Sequence, residues 1–280
     1  MDIGVCIFPT DKAIRMDELA RELESRKFES LFVPEHTHIP TSRKSPFAGG
    51  KPLPEEYKRT FDPFVCLMAA GAATKTLKLG TGICLIPEHH PIHLAKQVAT
   101  LDNVSGGRFL FGIGAGWLNE ETEIMGGDFA HRWGQTREAI RAMQALWSQE
   151  TAEFHGTYYD FPPVIAFPKP VQQPHPPIYI GAFGMGNVFR RVITYGNGWM
   201  PWMFTPEQIR QGRARLNDLA RDAGRDPQSI AVVAMPVPAD PDVIKAYEDA
   251  GADGAVVMVM PSSAQEMARE LERIAQKVLP

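Results

Sequence analysis

The sequence predicts a (β/α)₈ barrel, a closed sheet of parallel strands in which each strand is followed by a helix. Short apolar runs alternate with stretches of helical periodicity about eight times along the 280 residues. Runs such as residues 230–235 and 255–260 are apolar on both faces, as parallel strands covered by helices require. The turn after the first run contains Pro9 and Thr10 but no glycine. This counts against a doubly wound sheet with a glycine-rich dinucleotide turn.

The first half of the chain contains four predicted strands, at residues 2–8, 30–33, 77–85 and 108–113. Apolar residues spaced i, i+3, i+4 and i+7 predict the first helix around Met16, Leu19, Ala20 and Leu23. The same periodicity predicts helices over residues 61–74, 92–103 and 133–149.

The second half repeats the alternation. Strands are predicted at residues 177–181, 198–202, 229–235 and 253–260, and helices over 187–195, 206–223, 240–250 and 263–278. Two segments, 37–60 and 151–176, are longer than ordinary barrel loops and rich in proline. Segments of this length are typically functional lids or disordered, and they follow strand 2 and precede strand 5.

Composition excludes several classes of protein. Hydrophobic residues make up 44% and charged residues 22%, and the net charge of −4 comes without a basic stripe that would favour nucleic acid. There is no apolar run long enough for a membrane helix and no signal-peptide pattern at the start. Cys6, Cys66 and Cys84 are far apart, so we expect buried, reduced thiols in a cytoplasmic protein.

Active sites of barrels lie at the carboxyl ends of the strands, and glycines are frequent there in this chain. Gly112, Gly114 and Gly116 remove side chains from the end of strand 4, so a flat ring could approach the backbone. Gly181 and Gly184 precede a predicted helix that begins with Asn187, Arg190 and Arg191, a pattern that suits a phosphate. Each loop alone could consist of simple turn glycines; together they favour a cofactor with a ring and a phosphate.

Glu35 and His36 follow strand 2 and are the candidate acid/base pair, since an imidazole exchanges protons near neutral pH. Phe8, Trp117 and Trp199 are predicted to line an apolar substrate pocket, although such aromatic residues are equally typical of a core. His89, His90 and His93 have spacings found in metal sites, but no HExxH motif accompanies them, and we predict no metal.

Several stretches resemble the bacterial luciferase-like flavin-dependent monooxygenase superfamily, particularly its coenzyme F420-dependent oxidoreductases. The first half contributes FVPEH at 32–36, LGTGI at 79–83, AKQVATLD at 95–102, SGGR at 105–108 and GIGAGW at 112–117. PIYIGA at 177–182 and GNGW at 196–199 add to the match. The resemblance covers most of the chain and is specific only in combination.

The resemblance implies a barrel, usually dimeric, with a flavin or deazaflavin ring in its mouth and a non-prolyl cis peptide behind the ring at Gly82–Ile83. It places His36 near the reactive face as a ring contact or proton donor, with Glu35 as its acidic neighbour. Residues implied in cofactor binding are Gly82, Ile83, Gly114, Gly116, Trp117, Asn119, Gly181, Ala182, Phe183 and Gly184.

One position departs from a subgroup of the superfamily. Its sugar-phosphate dehydrogenases carry an acidic residue after the strand-4 glycines, where this chain has Trp117, so a more apolar substrate is expected. The sequence therefore predicts an oxidoreductase that transfers hydride between F420 and a small organic substrate. An FMN-dependent monooxygenase supplied by a separate reductase is the alternative, and a non-catalytic flavin-binding protein is the hypothesis from another class. An aldolase-like barrel is disfavoured, because no lysine ends a predicted strand.

Overall fold

A computed structural model describes residues 1–279, and its centre is a closed barrel of eight parallel strands. Each strand pairs with the next along the chain, and β8 pairs with β1 to close the barrel. The strands are β1 (Asp2–Cys6), β2 (Ser30–Val33), β3 (Lys78–Thr81), β4 (Phe109–Gly114), β5 (Ile178–Ala182), β6 (Gly198–Pro201), β7 (Ala231–Ala234) and β8 (Gly254–Met258). A two-residue extension of β3, Cys84–Leu85, also pairs with β4. The predicted fold is confirmed.

Helices surround this barrel. They are α1 (Met16–Ser25), α2 (Pro63–Ala73), α3 (Pro91–Ser105), α4 (Asn119–Ile124), α5 (Arg132–Ser148), α6 (Val188–Tyr195), α7 (Pro206–Asp222), α8 (Pro241–Asp249) and α9 (Ala264–Val278). Several begin with a side chain that accepts the first free backbone N–H groups. Asp62 caps α2, and Thr205 and Ser263 form capping boxes at α7 and α9.

Alternating residues of each strand face two different cores. One set packs against the helices; in β4 it consists of Phe109, Phe111 and Ile113. The other set fills the barrel, where Phe32 packs with Met200 and Met235. These side chains pack the interior near the carboxyl ends of the strands, and a cavity of about 90 Å³ lies towards the amino ends, beside Asp2, Lys78 and Tyr179. In barrels of this kind the carboxyl ends carry the active site.

The structure differs from the prediction in two places. The segment 151–176 contains an antiparallel hairpin of Thr151–His155 and Asp160–Ile165. The sequence did not predict it, because the prolines of this segment indicate a loop. Helix α4 was not predicted, because its sequence Asn-Glu-Glu-Thr-Glu-Ile has no apolar periodicity. Helix α4 follows the carboxyl end of β4, and the hairpin lies in the connection that leads to β5.

Two predictions from composition can be compared with the structure. Among residues 1–279, no helix is both long and apolar enough to cross a bilayer. The three cysteines are buried and unpaired, as expected, and burial raises the pKa of Cys6 and of Cys66 to about 12.

Candidate active site

A histidine–glutamate pair lies at the carboxyl ends of β2 and β4. His36 Nδ1 is 2.7 Å from Oε2 of Glu121, and the backbone N–H of Thr37 donates to Oε1 over 3.1 Å. The side chains of His36 and Glu121 are 6% and 1% exposed. The carboxylate fixes the imidazole with Nδ1 as the donor, which leaves Nε2 for proton exchange. Sequence reasoning missed Glu121 because it lies on the unpredicted helix α4.

Glu35 belongs to a different pair, which corrects the expectation that it orients His36. Its Oε1 is 2.9 Å from Nε2 of His89, and its Oε2 accepts from the backbone N–H of Leu85 over 2.6 Å. Burial raises the pKa of Glu35, but the hydrogen bond and charge of His89 outweigh it and leave the pKa below the usual value. Burial conversely lowers the pKa of His89, and Glu35 outweighs that effect and raises it.

Three groups that bind metals in other proteins come together in this second pair. The ligand atoms of Glu35, Cys84 and His89 lie within 4.8 Å of one another. The Glu35–His89 distance of 2.9 Å is that of a hydrogen bond, so we describe the group as a hydrogen-bonded network. His90 and His93 are exposed, and His90 accepts from Ile92 N at the start of α3. His90 and His93 therefore do not join His89 around a common point, although the three are close in the sequence.

A third carboxyl group, that of Glu88, is buried close to both pairs. Glu88 ends the 3₁₀ turn Ile86–Glu88 that follows the β3 extension, and it is 6% exposed. Burial, followed by the charges of Glu121 and Glu35, raises its pKa to about 9. Glu88 is therefore protonated at neutral pH. The sequence signal that could have identified it was a glutamate directly after the apolar run Leu85–Pro87 at a strand end.

Aromatic rings surround His36, and two of them come from the long segment 37–60. Tyr57 lies 5.1 Å and Trp117 6.1 Å from the imidazole, measured between ring centroids. Phe8 packs 4.5 Å from Tyr57, and Phe47 packs 5.8 Å from Trp117. Phe8 and Trp117 thus both belong to the cluster of rings around His36. The segment forms an apolar cover over the imidazole.

Polar contacts hold this cover in place. Glu120 of α4 accepts from the backbone N–H groups of Lys44 and Ser45, the latter over 3.1 Å. At the other end of the segment, Arg59 pairs with Asp11, and Thr60 forms a β-bridge with Thr10. Burial raises the pKa of Tyr57 to about 12, so its hydroxyl remains a donor at neutral pH.

Trp199 does not line the mouth, which corrects its predicted role in substrate binding. Its ring is fully buried between Phe189 and Phe204, at centroid distances of 5.1 and 5.4 Å, and lies against α7 at Gly212. It therefore belongs to the core between barrel and helices. Trp202 is half-buried and packs against the barrel interior instead.

The glycines of β4 have another role than the predicted one. A Cβ at Gly112 would overlap the carbonyl oxygen of Thr81, and one at Gly114 would overlap Cδ1 of Ile83. A Cβ at Gly181 would lie 2.7 Å from Cγ2 of Ile83. Gly112 therefore allows the close approach of the Thr81 backbone, and Gly114 and Gly181 make room for the half-buried side chain of Ile83. A ring could not lie against bare backbone there. The Gly82–Ile83 peptide bond is cis, as the resemblance implied.

The segment from Gly181 to Asn187 leads into α6 and is open. A Cβ at Gly184 or Gly186 would meet nothing within 4 Å, and the side chain of Phe183 is 66% exposed. Asn187 makes no side-chain cap, so the first N–H groups of α6 are available to an anion. The guanidinium of Arg191, which the sequence predicted beside a phosphate here, stacks 3.8 Å above the ring of Trp133.

The comparisons with known proteins agree with this architecture. The family model described as luciferase-like monooxygenase matches residues 4–277. An uncharacterized protein of Mycobacterium tuberculosis strain H37Rv is 39% identical over 285 residues, which cover 99% of each chain.

Two further matches have named activities. The coenzyme F420-dependent tetrahydromethanopterin reductase from Methanopyrus kandleri superposes with a TM-score of 0.77 at 18% identity, over 100% of this chain and 98% of that one. The FMNH₂-dependent dimethylsulfone monooxygenase of Pseudomonas putida is 30% identical over 165 residues, 58% of this chain and 44% of that protein.

Proposed function

Because this chain belongs to the luciferase-like monooxygenase family, we propose that it is a cytoplasmic oxidoreductase that transfers hydride between coenzyme F420 and a small, apolar organic substrate. The observation that carries the proposal is the buried His36–Glu121 pair beneath an aromatic cover at the barrel mouth. Hydride transfer at a carbonyl or alcohol carbon needs a proton donor or acceptor at the oxygen, and this pair supplies one.

The cofactor would bring the hydride chemistry, and the chain would bind and orient it. For the anionic tail, the proposal assigns Gly181, Ala182, Phe183 and Gly184, because the backbone before α6 is open there. For the ring it assigns Gly82, Ile83, Gly114, Gly116, Trp117 and Asn119. At Gly114 the ring would contact the side chain of Ile83, which fills the space beside that glycine. Asn119 fits this assignment, since its Oδ1 is buried without a hydrogen-bond partner among the described residues.

His36 holds or moves the proton in this proposal. In the direction of reduction, Nε2–H donates to the substrate oxygen; in the direction of oxidation, neutral Nε2 accepts from the hydroxyl. Glu121 keeps the ring oriented through Nδ1 and stabilises the imidazolium when it forms. Phe8, Phe47, Tyr57 and Trp117 exclude water from the imidazole, which strengthens the electrostatic interactions around it.

An FMN-dependent monooxygenase that receives reduced flavin from a separate reductase is the second candidate function. The identity with the dimethylsulfone monooxygenase favours it. That match covers less than half of the other protein. We place F420 first because the sequence motifs resemble the F420-dependent oxidoreductases in particular.

Titration of the purified protein with F420 and with FMN separates the two candidates. Tryptophan fluorescence reports binding, because Trp117 lies 6.1 Å from His36, and a Trp117→Phe variant is the control for the origin of the signal. We expect saturable quenching by F420, most of which is lost in the variant. Tight FMN binding without a response to F420 would refute the first candidate.

Helix α2 supports a dimeric assembly within this proposal. It exposes Val65 to 71%, and Ala69 and Ala72 on the same face are exposed too, with Phe61 just before the helix at 46%. An apolar helix face of this kind is typical of an interface. Sedimentation of the wild type and of a Val65→Glu variant tests it: we expect a dimer for the first and a monomer for the second, and a monomeric wild type would contradict it.

A further inference from the structure

The arginines of helices α5 and α6 have no acidic partners. None of them forms an ion pair with a carboxylate of residues 1–279; they are Arg132, Arg137 and Arg141 of α5 and Arg190 and Arg191 of α6. Arginines on other helices are paired, such as Arg21 with Asp17 and Arg273 with Glu270. Acidic residues outnumber lysine and arginine in the chain, 33 to 29, so this lack of partners is a local property of the two helices.

Two of these arginines, Arg132 and Arg191, are half-buried and held in place by aromatic rings. The guanidinium of Arg191 lies 3.8 Å above the ring of Trp133, the residue that follows Arg132 in α5. Arg132 in turn lies 4.0 Å over the ring of Phe129 and donates to its carbonyl oxygen over 2.8 Å. The two guanidinium groups therefore come together where α6 packs beside the start of α5. A guanidinium that is already fixed loses little further freedom when it binds an oxyanion.

Two buried polar groups in the same place have no partner. They are Nε of Arg132 and the hydroxyl of Tyr195, which belongs to a side chain that is 6% exposed. Tyr195 follows Arg191 by one turn of α6, and the charges of Arg191 and Arg137 act on its hydroxyl. Buried polar groups of folded proteins are nearly always hydrogen-bonded. Unpaired donors beside two unpaired cations therefore indicate a site for an anionic acceptor.

This place adjoins the open segment 181–187, to which the proposed function assigns the anionic tail of the cofactor. Arg191 lies one helical turn, roughly 5 Å, beyond Asn187 at the start of α6. His131 makes no side-chain cap at the start of α5, as Asn187 makes none at α6, so both helix ends also favour negative charge. A ligand with two anionic groups in a row could contact both places. The tail of F420 has carboxylates beyond its phosphate, whereas FMN ends at its phosphate.

We propose that Arg132 and Arg191 form a second anion subsite, which binds a carboxylate of the F420 tail beyond the group held at residues 181–187. The planar fork of a guanidinium matches a carboxylate, and the hydroxyl of Tyr195 supplies a further donor. The inference deepens the proposed function and rests on it only for the identity of the ligand. It implies that the chain distinguishes cofactors by the number of charges in their tails.

Titration of the cofactor-free full chain with triglutamate and, separately, with inorganic phosphate tests the subsite. Because Arg191 stacks on Trp133, an anion bound there changes the fluorescence of that ring, and Trp133→Phe is the control for the origin of the signal. We expect triglutamate to bind, with a Kd that is about tenfold weaker in Arg132→Gln. Arg269→Gln, at an exposed arginine of α9 without an ion pair, is the matched control and keeps the wild-type Kd.

Three results of this titration would overturn the inference. They are a wild type that does not respond to triglutamate, equal losses in Arg132→Gln and Arg269→Gln, and tighter binding of phosphate than of triglutamate. The last result would assign the site to free phosphate.

A second measurement needs no variant. Phenylglyoxal modifies arginine side chains, and mass spectrometry gives the rate at each residue of the wild type. Triglutamate at ten times its Kd should slow the modification of Arg191 by about tenfold and leave Arg269 unchanged. An unprotected Arg191 would contradict the subsite. Neither experiment contains F420, so a subsite that forms while the F420 titration fails would refute the proposed cofactor and not the binding of anions at Arg132 and Arg191.

Discussion

Two histidine–glutamate pairs lie side by side at the mouth of this barrel, and consecutive residues, Glu35 and His36, belong to different ones. His36 pairs with Glu121 under the aromatic cover, over 2.7 Å. Glu35 pairs with His89 over 2.9 Å and holds the backbone of Leu85 in the β3 extension. Both glutamate side chains are 1% exposed. The same two residue types therefore occupy equally buried places with different surroundings.

The difference between the pairs is what each imidazole faces. Tyr57 and Trp117 lie against His36 and Phe8 packs on Tyr57, and we propose that these side chains cover the substrate. His89 faces Phe64 of α2, at 6.4 Å between ring centroids, and belongs to the packed wall. We infer that the first pair serves chemistry and the second stabilises the end of β3. The same substitution made at His36 and at His89 tests whether the two pairs have different roles.

Replacement of His36 by alanine should have the largest effect on activity. Loss of a general acid or base typically lowers kcat/KM by about 10²- to 10⁴-fold. Steady-state kinetics with cofactor binding measured in parallel checks it, with His89→Ala as the control at the other pair. Unchanged turnover in His36→Ala would remove its catalytic role, whereas lost turnover with retained cofactor binding would support it. Flavin binding without any turnover in the wild type would favour a non-catalytic flavin-binding protein.

Replacement of His89 by alanine should have the largest effect on stability. It leaves the Glu35 carboxylate buried without its partner, which typically costs about 3–5 kcal/mol in the free energy of unfolding. Urea unfolding of the two histidine variants gives the comparison. His36→Ala also leaves a buried carboxylate, that of Glu121, without its partner, but we expect the smaller loss there because only His89 packs against a barrel helix, at Phe64. Equal losses would contradict separate roles for the pairs.

The pH dependence of stability should identify the Glu35–His89 pair. The pKa of Glu35 is lowered, so its contribution is present above its unfolded pKa of 4.5 and is lost as pH falls through the folded value. The pKa of His89 is raised, so its contribution is present below its unfolded pKa of 6.5 and is lost as pH rises through the folded value. The wild type should therefore exceed His89→Gln in unfolding free energy most between pH 4.5 and 6.5. A larger difference at pH 8.5 would contradict this sign.

Truncation of the cover should have a smaller effect. Phe47 touches Trp117 and Tyr57 but not the imidazole, so Phe47→Ala opens the mouth without removing a reacting group. We expect KM for the substrate to rise about tenfold, which corresponds to a loss of roughly 1.4 kcal/mol in binding free energy, and kcat to fall by less. Phe167→Ala, at a half-exposed position outside the mouth, is the control. A loss confined to kcat would assign Phe47 to the chemical step.

Much of the fold could be predicted from the sequence, and less of the site. The eight strands were predictable because buried parallel strands are continuous apolar runs, and β2 has the predicted bounds, Ser30–Val33. The position of His36 follows from its place after β2, and the cis bond at Gly82–Ile83 was implied by the family resemblance. The partners of His36 and Glu35 do not, since they lie 85 and 54 residues away along the chain and become neighbours only when the barrel closes. Trp199 was misplaced because alternation along β6 leaves open which face is inside.

A crystal structure with F420 bound tests the central claim most directly, because the claim concerns where the redox ring binds in the barrel. We predict the redox ring at the mouth formed by the carboxyl ends of the strands, with the substrate-facing side about 3 Å from Nε2 of His36 and the tail at residues 181–187. A ring bound at the opposite end of the barrel, beside Asp2 and Lys78, or held away from His36, would contradict the account.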